Sequence, residues 1–268
     1  MSDDGSPVPD AGLGARPLLT AAGVVAIVER LRARRPRVHV LTSPVALTFT
    51  ANMLLAAGAE PSMTQSPEEI PDFVASADAL LINLGMLDRV RRDAGLTAIE
   101  VAKEAGVPWI LDPVKVEIST GRLAFARRLI EMEPALVHAN RAEFRALAGT
   151  DAEDGAVRDH AVHDVTTLAV TGEVDIVTDG RRLIRIANGH PLMDRVTAMG
   201  CAATAVAAAF RAVEPDAVLA AAVALVVVGV AGEVAATTAK GPGSFAVDIL
   251  DALHALDGQS LIERAKIR

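Results

Sequence analysis

The chain alternates short apolar runs with longer stretches whose apolar residues recur at helical spacing, and this alternation constrains its fold more than any other feature. Several of the short runs are continuously apolar, which is typical of strands covered on both faces of a parallel sheet. The candidate strands are Val38–Leu41, Ala79–Asn83, Trp109–Leu111, Ala135–His138, Thr167–Thr171, Asp175–Thr178 and Leu183–Ala187. The candidate helices are Leu18–Arg34, Ala46–Ala57, Asp88–Ala105, Leu123–Glu131, Arg141–Ala148, Ala198–Val213, Asp216–Ala236 and Ala246–Leu256. Alternating elements of this kind predict right-handed βαβ units and an α/β fold with a mostly parallel central sheet.

One segment departs from this alternation. Asp179-Gly180 stands between the apolar runs Asp175–Thr178 and Leu183–Ala187, which is the pattern of a β-hairpin. We therefore expect a hairpin at one side of the sheet. Because no Pro/Ser-rich linker divides the chain, we expect residues 18–268 to form a single domain.

The residues that directly follow the candidate strands are mostly small, polar or acidic. Open parallel sheets bind their ligands outside the carboxyl ends of the strands. The residues concerned are Thr42, Ser43, Gly85, Asp112, Asn140, Glu143, Thr171 and Gly172. The sequence therefore predicts that hydroxyl groups and the carboxylates of Asp112 and Glu143 gather on one rim of the sheet.

The pair Asn140 and Glu143 has two interpretations. Their oxygen atoms suit a Mg²⁺ ion that enters with a nucleotide. Asn followed three residues later by Glu is also close to the signature of a capping box at a helix start. The local sequence leaves both interpretations open.

The run from Ala198 to Thr204 opens a candidate helix with small residues around Cys201. Small residues at a helix start let backbone N–H groups point at an anion, assisted by the positive end of the helix dipole. A thiol at such a position is expected to have its thiolate favoured. The alternative is a small buried thiol in an Ala-rich helix.

Composition excludes several classes of partner. The chain has 26 Lys+Arg and 34 Asp+Glu, a net charge of −8, and only 3% aromatic residues, which together argue against nucleic-acid binding. Its single cysteine excludes an intramolecular disulfide, and nothing indicates an oxidising compartment, so we expect a cytoplasmic protein. Residues 1–17 are acidic and rich in Gly and Pro without the pattern of a signal peptide, and we interpret them as a flexible tail.

The stretch Ala217–Gly232 imitates a membrane span because it carries no charge. It is shorter than the roughly 20 residues that a bilayer requires, and Asp216 and Glu233 bound it closely. We interpret it as a fully buried helix and expect no membrane partner.

Taken together, these motifs resemble hydroxyethylthiazole kinase, a thiamin-salvage family of the ribokinase-like superfamily. The resemblance extends from about Leu18 to Leu256. Leu41–Met63 resembles the family's thiazole-binding strand and helix. The segments ALLINLGML, VPWILDPV, Asn-x-x-Glu, AVTGEVDIVTDG, NGHPLMDRVTAMGC and KGPGSF follow in the family's order and spacing.

The resemblance implies a ribokinase-like three-layer α/β/α sandwich that uses ATP and Mg²⁺ to phosphorylate the hydroxyl of 5-(2-hydroxyethyl)-4-methylthiazole. It also implies a homotrimer with active sites at subunit interfaces. By matching position, it assigns Cys201 and Gly200 to catalysis, Met63, Asn52 and Ala198 to the thiazole alcohol, His138 and Thr171 to ATP, and Asp112 and Glu143 to the metal.

The chain departs from the family pattern at several of these positions. His138 stands where the family has an Arg, Ala198 replaces the first Gly of the G-x-G-C motif, and Lys115 stands where Gly is common. These changes leave open a catalytically weak paralogue that binds a thiazole-like ligand. A kinase of another small hydroxyalkyl heterocycle is a further alternative, although the Met63 segment and Cys201 favour thiazole.

Overall fold

A computed structural model describes residues 18–164 and 166–268 of the chain. The tail predicted at 1–17 lies outside these residues. The strands are β1 (Arg37–Leu41), β2 (Glu60–Ser62), β3 (Ala79–Asn83), β4 (Trp109–Asp112), β5 (Leu136–Asn140), β6 (Thr167–Thr171), β7 (Asp175–Thr178) and β8 (Leu183–Ile186). The helices are α1 (Ala21–Arg34), α2 (Leu47–Ala57), α3 (Ile70–Ala75), α4 (Arg89–Ala105), α5 (Thr120–Ile130), α6 (Arg141–Ala148), α7 (Asp154–Asp164), α8 (Met199–Val213), α9 (Ala217–Ala236), α10 (Pro242–Ala255) and α11 (Gly258–Arg264).

The strands form one 8-stranded sheet in the order β2-β1-β3-β4-β5-β6-β7-β8. Neighbouring strands are parallel from β2 to β6, and β7 and β8 are antiparallel to their neighbours. The mostly parallel sheet and the hairpin at one edge are thus confirmed. The hairpin forms because Gly180 takes a positive φ of 85° between β7 and β8, a conformation that glycine adopts without strain.

Helices cover both faces of the sheet and create a separate apolar core on each. On one face α2, α8 and α9 contact the strands, with α1, α10 and α11 packed against these helices. On the other face the core is formed with α3 to α7. Successive buried strand residues alternate between these cores, which explains why the strands read as continuous apolar runs. The architecture is the predicted α/β/α sandwich.

Helix α9 contains the apolar stretch Ala217–Gly232, whose composition resembles that of a membrane span. By length and composition it could cross a membrane, but 78% of its most apolar window is buried inside the protein. It packs against α8, α10 and the strands β6 to β8. Its interpretation as a buried core helix is confirmed.

The structure adds elements that the sequence pattern did not predict. These are the edge strand β2 and the helices α3, α7 and α11. Three of them are very short, and α7 is polar, so none produces a strong apolar period. Helix α10 also begins earlier than predicted, because Pro242 is tolerated in a first turn and the Ser244 side chain accepts a hydrogen bond from the Lys240 backbone N–H.

Candidate active site

The carboxyl ends of the parallel strands meet at one rim, as predicted. Asn83 at the end of β3 is the register partner of Asp112 at the end of β4. Asn140 at the end of β5 is the partner of Thr171 at the end of β6. Because parallel strands in register finish side by side, these four polar side chains share one edge of the sheet.

Asp112 is the centre of a buried polar cluster. Its side chain is 5% exposed, and its Oδ2 accepts hydrogen bonds from Asn83 Nδ2 at 2.6 Å and from Thr204 Oγ1 at 3.4 Å. Burial and the nearby charge of Glu143 raise the pKa of Asp112 to about 7. A carboxylate that is both desolvated and next to a like charge is stabilised by a cation, so the donor set at this rim fits a divalent metal.

Glu143 accepts hydrogen bonds from the loop after β4 and from the end of β5. Its Oε2 accepts from the backbone N–H of Asn140 at 2.9 Å, and Asn140 Oδ1 accepts from the N–H of Glu143 at 3.0 Å. This reciprocal pair is the capping box that the sequence offered as one interpretation. Oε1 accepts from the N–H of Lys115 at 2.9 Å, which ties the loop after β4 to α6. Each oxygen keeps a further lone pair for a metal.

The start of α8 faces this rim and is open. Ala198 precedes the helix in a left-handed conformation with a φ of 65°, and no side chain caps the first turn. Gly200 is exposed, and a Cβ at this position would meet nothing within 4 Å. The free N–H groups and the dipole of the 15-residue helix are therefore available to an anion.

Cys201 lies one residue further into α8 and is half-buried. Burial raises the pKa of its thiol to about 12, and the negative charges of Asp112 and Glu143 act in the same direction. The expectation that the helix start favours the thiolate is therefore wrong. Burial is the largest cause of this shift, and the carboxylates that add to it approach the thiol only in the tertiary structure.

His138, the predicted ATP contact, is a buried residue of β5. Its side chain is 5% exposed and lies under α8, where Nδ1 is 2.8 Å from Thr204 Oγ1, and burial lowers its pKa to about 4. The imidazole is therefore neutral and enclosed, and its contact with ATP stays a prediction. His138 is linked to the site through Thr204, whose hydroxyl also lies 2.9 Å from the Gly200 carbonyl oxygen.

The remaining predicted residues lie around this cluster. Thr171 is half-buried at the end of β6, and Met63 is half-buried directly after β2. Asn52 lies on the exposed side of α2 and, within the part of the chain that the structure describes, has no side-chain hydrogen bond. Nor do the described residues contain a group of three or more His, Cys, Asp or Glu placed to hold a metal. Asp112 and Glu143 are thus a pair of acidic groups at the rim and do not belong to such a larger group.

Sequence reasoning missed Asn83 and Thr204. Asn83 is 2% exposed and donates to Asp112, while its Oδ1 accepts from the Gly85 N–H at 3.0 Å. The signal for Asn83 was present, because a polar residue ends an otherwise apolar strand. Thr204 gave no signal, since a hydroxyl inside an Ala-rich helix looks like any small core residue.

Comparisons with known proteins point to one family. A profile of the hydroxyethylthiazole kinase family matches residues 28–259. A probable hydroxyethylthiazole kinase of Agrobacterium fabrum is 48% identical over 248 residues, covering 92% of this chain and 96% of that protein. A hydroxyethylthiazole kinase of Granulibacter bethesdensis is 46% identical, covering 90% of this chain and 92% of that protein.

Solved structures agree with the fold. The hydroxyethylthiazole kinase protein of Pyrococcus horikoshii superposes with a TM-score of 0.87 at 38% identity, covering 91% of this chain and 98% of that chain. A ribokinase-like superfamily protein of Enterococcus faecalis superposes with a TM-score of 0.66 at 13% identity, covering 83% and 88%. The second likeness concerns the fold alone.

Proposed function

This chain belongs to the hydroxyethylthiazole kinase family, and from that premise we propose that the rim around Asp112 and Cys201 transfers a phosphoryl group from ATP to 5-(2-hydroxyethyl)-4-methylthiazole. The observation that carries this assignment is the meeting of an open helix start with a buried carboxylate and a thiol. Phosphoryl transfer depends mainly on positioning and on stabilising charge, and this rim offers both.

The start of α8 is proposed to receive the transferring phosphoryl group. Backbone N–H groups around Gly200 would donate to its oxygens, and a helix start needs no rearrangement to do so. Cys201, on the same turn, would hold the alcohol oxygen in line for attack. Since burial and neighbouring charge keep its thiol protonated, its role is to orient the alcohol rather than to act as a strong base.

Asp112 and Glu143 are the proposed metal residues. When bound, Mg²⁺ neutralises charge that develops on the phosphate oxygens. Asn83 fixes the direction of the Asp112 carboxylate, and the Asn140 and Lys115 N–H groups fix that of Glu143. The metal would thus rest on oxygens whose positions the protein has already set.

The nucleotide and the alcohol are assigned to opposite sides of this centre. Thr171, at the end of β6, is the proposed ATP contact. Met63, Asn52 and Ala198 are the proposed contacts of the thiazole alcohol. Of the alternatives that the sequence left open, the identities of 43–48% to named hydroxyethylthiazole kinases favour the active kinase.

The assembly is proposed to be a homotrimer with its active sites between subunits. Large apolar side chains near α2 support an interface there, since Val45 is 60% and Leu55 is 55% exposed. An interface on this surface would also cover the exposed Asn52. The single thiol and the small-molecule substrate support a cytoplasmic location.

The test is an ADP-release assay with MgATP, with and without the thiazole alcohol, on the wild type and on Cys201→Ala and Cys201→Ser. We expect thiazole-dependent turnover in the wild type and a fall in kcat/KM of about tenfold or more in Cys201→Ala. His254→Gln, an exposed substitution, is the control. Wild-type protein that releases no thiazole-dependent ADP at any substrate concentration would overturn the proposal.

A further inference from the structure

His39 is a buried histidine that the chemistry above does not use. It lies in β1, is fully buried, and both of its ring nitrogens are engaged. Nδ1 is 2.8 Å from Ser62 Oγ, and Nε2 is 3.2 Å from the carbonyl oxygen of Thr64. A carbonyl oxygen only accepts, so Nε2 carries the proton and Nδ1 accepts from the Ser62 hydroxyl.

These hydrogen bonds fix residues 62–65, a segment that begins where the β1–β2 ladder ends. The β1–β2 ladder ends at the register pair His39 and Ser62, and the chain leaves the sheet after Ser62. Beyond that point Gln65 Nε2 donates to the Thr42 carbonyl oxygen at 2.9 Å, and the Phe73 ring lies 5.9 Å from the His39 ring. Side chains therefore take over from the ladder in fixing residues 62–65 against β1.

Met63 lies between Ser62 and Thr64, the two residues to which His39 is hydrogen-bonded. It is half-buried and packs against the core formed with α2 and α8, the helix that carries Cys201. A flexible thioether on a loose segment would sample many positions, whereas one fixed on both sides presents a defined apolar contact. The hydrogen bonds that join His39 to Ser62 and Thr64 thus determine the position of Met63.

We propose that His39 is a positioning residue for substrate, which holds residues 62–65 so that Met63 meets the thiazole ring. This inference rests on the proposed function, since the role of Met63 belongs to it. A histidine that only filled the core would need neither of its hydrogen bonds to this segment. Substituting such a histidine would then change kcat and KM for ATP as much as KM for the alcohol.

The experiment compares His39→Leu, which removes both bonds, with His39→Gln, which can keep a donor toward the Thr64 carbonyl. Ser62→Ala is a milder variant that removes only the Nδ1 partner and keeps the test available if a His39 variant does not fold. His254→Gln repeats the substitution at an exposed site as the matched control. For each protein we would measure kcat, KM for the thiazole alcohol, KM for ATP and amide hydrogen exchange across residues 62–66.

We expect KM for the thiazole alcohol to rise about tenfold in His39→Leu and about threefold in Ser62→Ala, with His39→Gln between them. KM for ATP and kcat should change by less than about twofold, and exchange across residues 62–66 should accelerate in the same order. The control should match the wild type in all four quantities.

Two results would overturn the inference. The first is faster amide hydrogen exchange in an active variant whose KM for the alcohol is unchanged. The second is a fall in kcat that is accompanied by equal rises in KM for the alcohol and KM for ATP. Failure of the proposed function looks different, because the wild type itself would then show no thiazole-dependent turnover. The exchange data would still decide, in that case, whether His39 holds the segment.

Discussion

At the scale of single residues, burial rather than sequence spacing sets the ionisation of the site. Asp112 and Cys201 lie far apart in the chain, yet the Asp112 carboxylate raises the pKa of the buried Cys201 thiol, and Glu143 raises that of the buried Asp112. A local pattern shows a thiol at a helix start and predicts a lowered pKa. The opposite shift arises because the ends of β4 and α8 converge.

A pH dependence of stability follows from His39. Burial lowers its pKa from 6.5 to about 4, so below pH 6.5 the unfolded chain binds a proton that the folded protein refuses. The free energy of unfolding should therefore fall as the pH drops from about 6.5 to about 4, by roughly 3 kcal/mol from this residue alone. Above pH 6.5 the ring is neutral in both states and contributes no pH dependence.

Urea unfolding of the wild type and His39→Gln at pH 7.5 and pH 4.5 tests this prediction. The variant should be the less stable protein at pH 7.5, and the difference should shrink at pH 4.5. Subtraction cancels the titration of all other groups that the two proteins share. A difference that stays constant across this range would contradict a lowered pKa at His39.

At the scale of elements, the close approach of Asn188 to α9 determines which side chain the helix can carry at residue 229. Gly229 faces Asn188, and a Cβ there would lie 2.7 Å from the Asn188 Cβ and 2.9 Å from its carbonyl carbon. Asn188 cannot move away easily, because its amide binds Glu233, Arg264 and Lys266. The helix and the segment after β8 therefore pack together only when residue 229 has no side chain.

Gly229→Ala should lower the free energy of unfolding by about 1–3 kcal/mol, although alanine is the better helix former. Gly95→Ala in α4 is the matched control, since a Cβ there meets only Ile82 at 3.8 Å, an ordinary contact. That control should raise the free energy of unfolding by up to about 1 kcal/mol. Chemical denaturation of both variants decides the matter, and equal effects would show that the Asn188 contact relaxes.

The elements also show how far local patterns reach. The bounds of β3, β6, β7 and α6 match the sequence predictions, because each is a continuous apolar run or carries a strong cap. Edge strand β2 and the short helix α3 were missed, since three to six residues cannot display a period. These elements depend on the neighbours that they pack against.

At the scale of the whole molecule, a single sheet separates two apolar cores. Trp109, the only tryptophan, is 3% exposed in the core formed with α3 to α7, whereas α8 and α9 fill the other core. Because the same strands contribute residues to both cores, losing either one should expose the other.

We therefore expect Trp109 fluorescence and far-ultraviolet circular dichroism to give coincident unfolding curves in urea. Coincidence would support the prediction that residues 18–268 form one domain. Fluorescence that changes at a clearly lower or higher urea concentration than circular dichroism would show that the two cores unfold separately. Monitoring Val162→Ala, an exposed substitution in α7, checks that the midpoints do not shift with trivial surface changes.

Local sequence patterns were enough to predict the α/β class, the parallel strands, the edge hairpin and the rim on which Asp112 and Glu143 gather. Apolar periodicity and turn residues are local properties, and the rule that ligands bind at strand carboxyl ends places the rim once the strands are known. The partners at that rim, and the approach of Cys201 to it, follow from the tertiary structure. The bonds of Asn83 to Asp112, of Thr204 to His138 and of His39 to the Met63 segment join residues far apart in the chain. Burial and charge between such residues depend on distances that no local pattern contains.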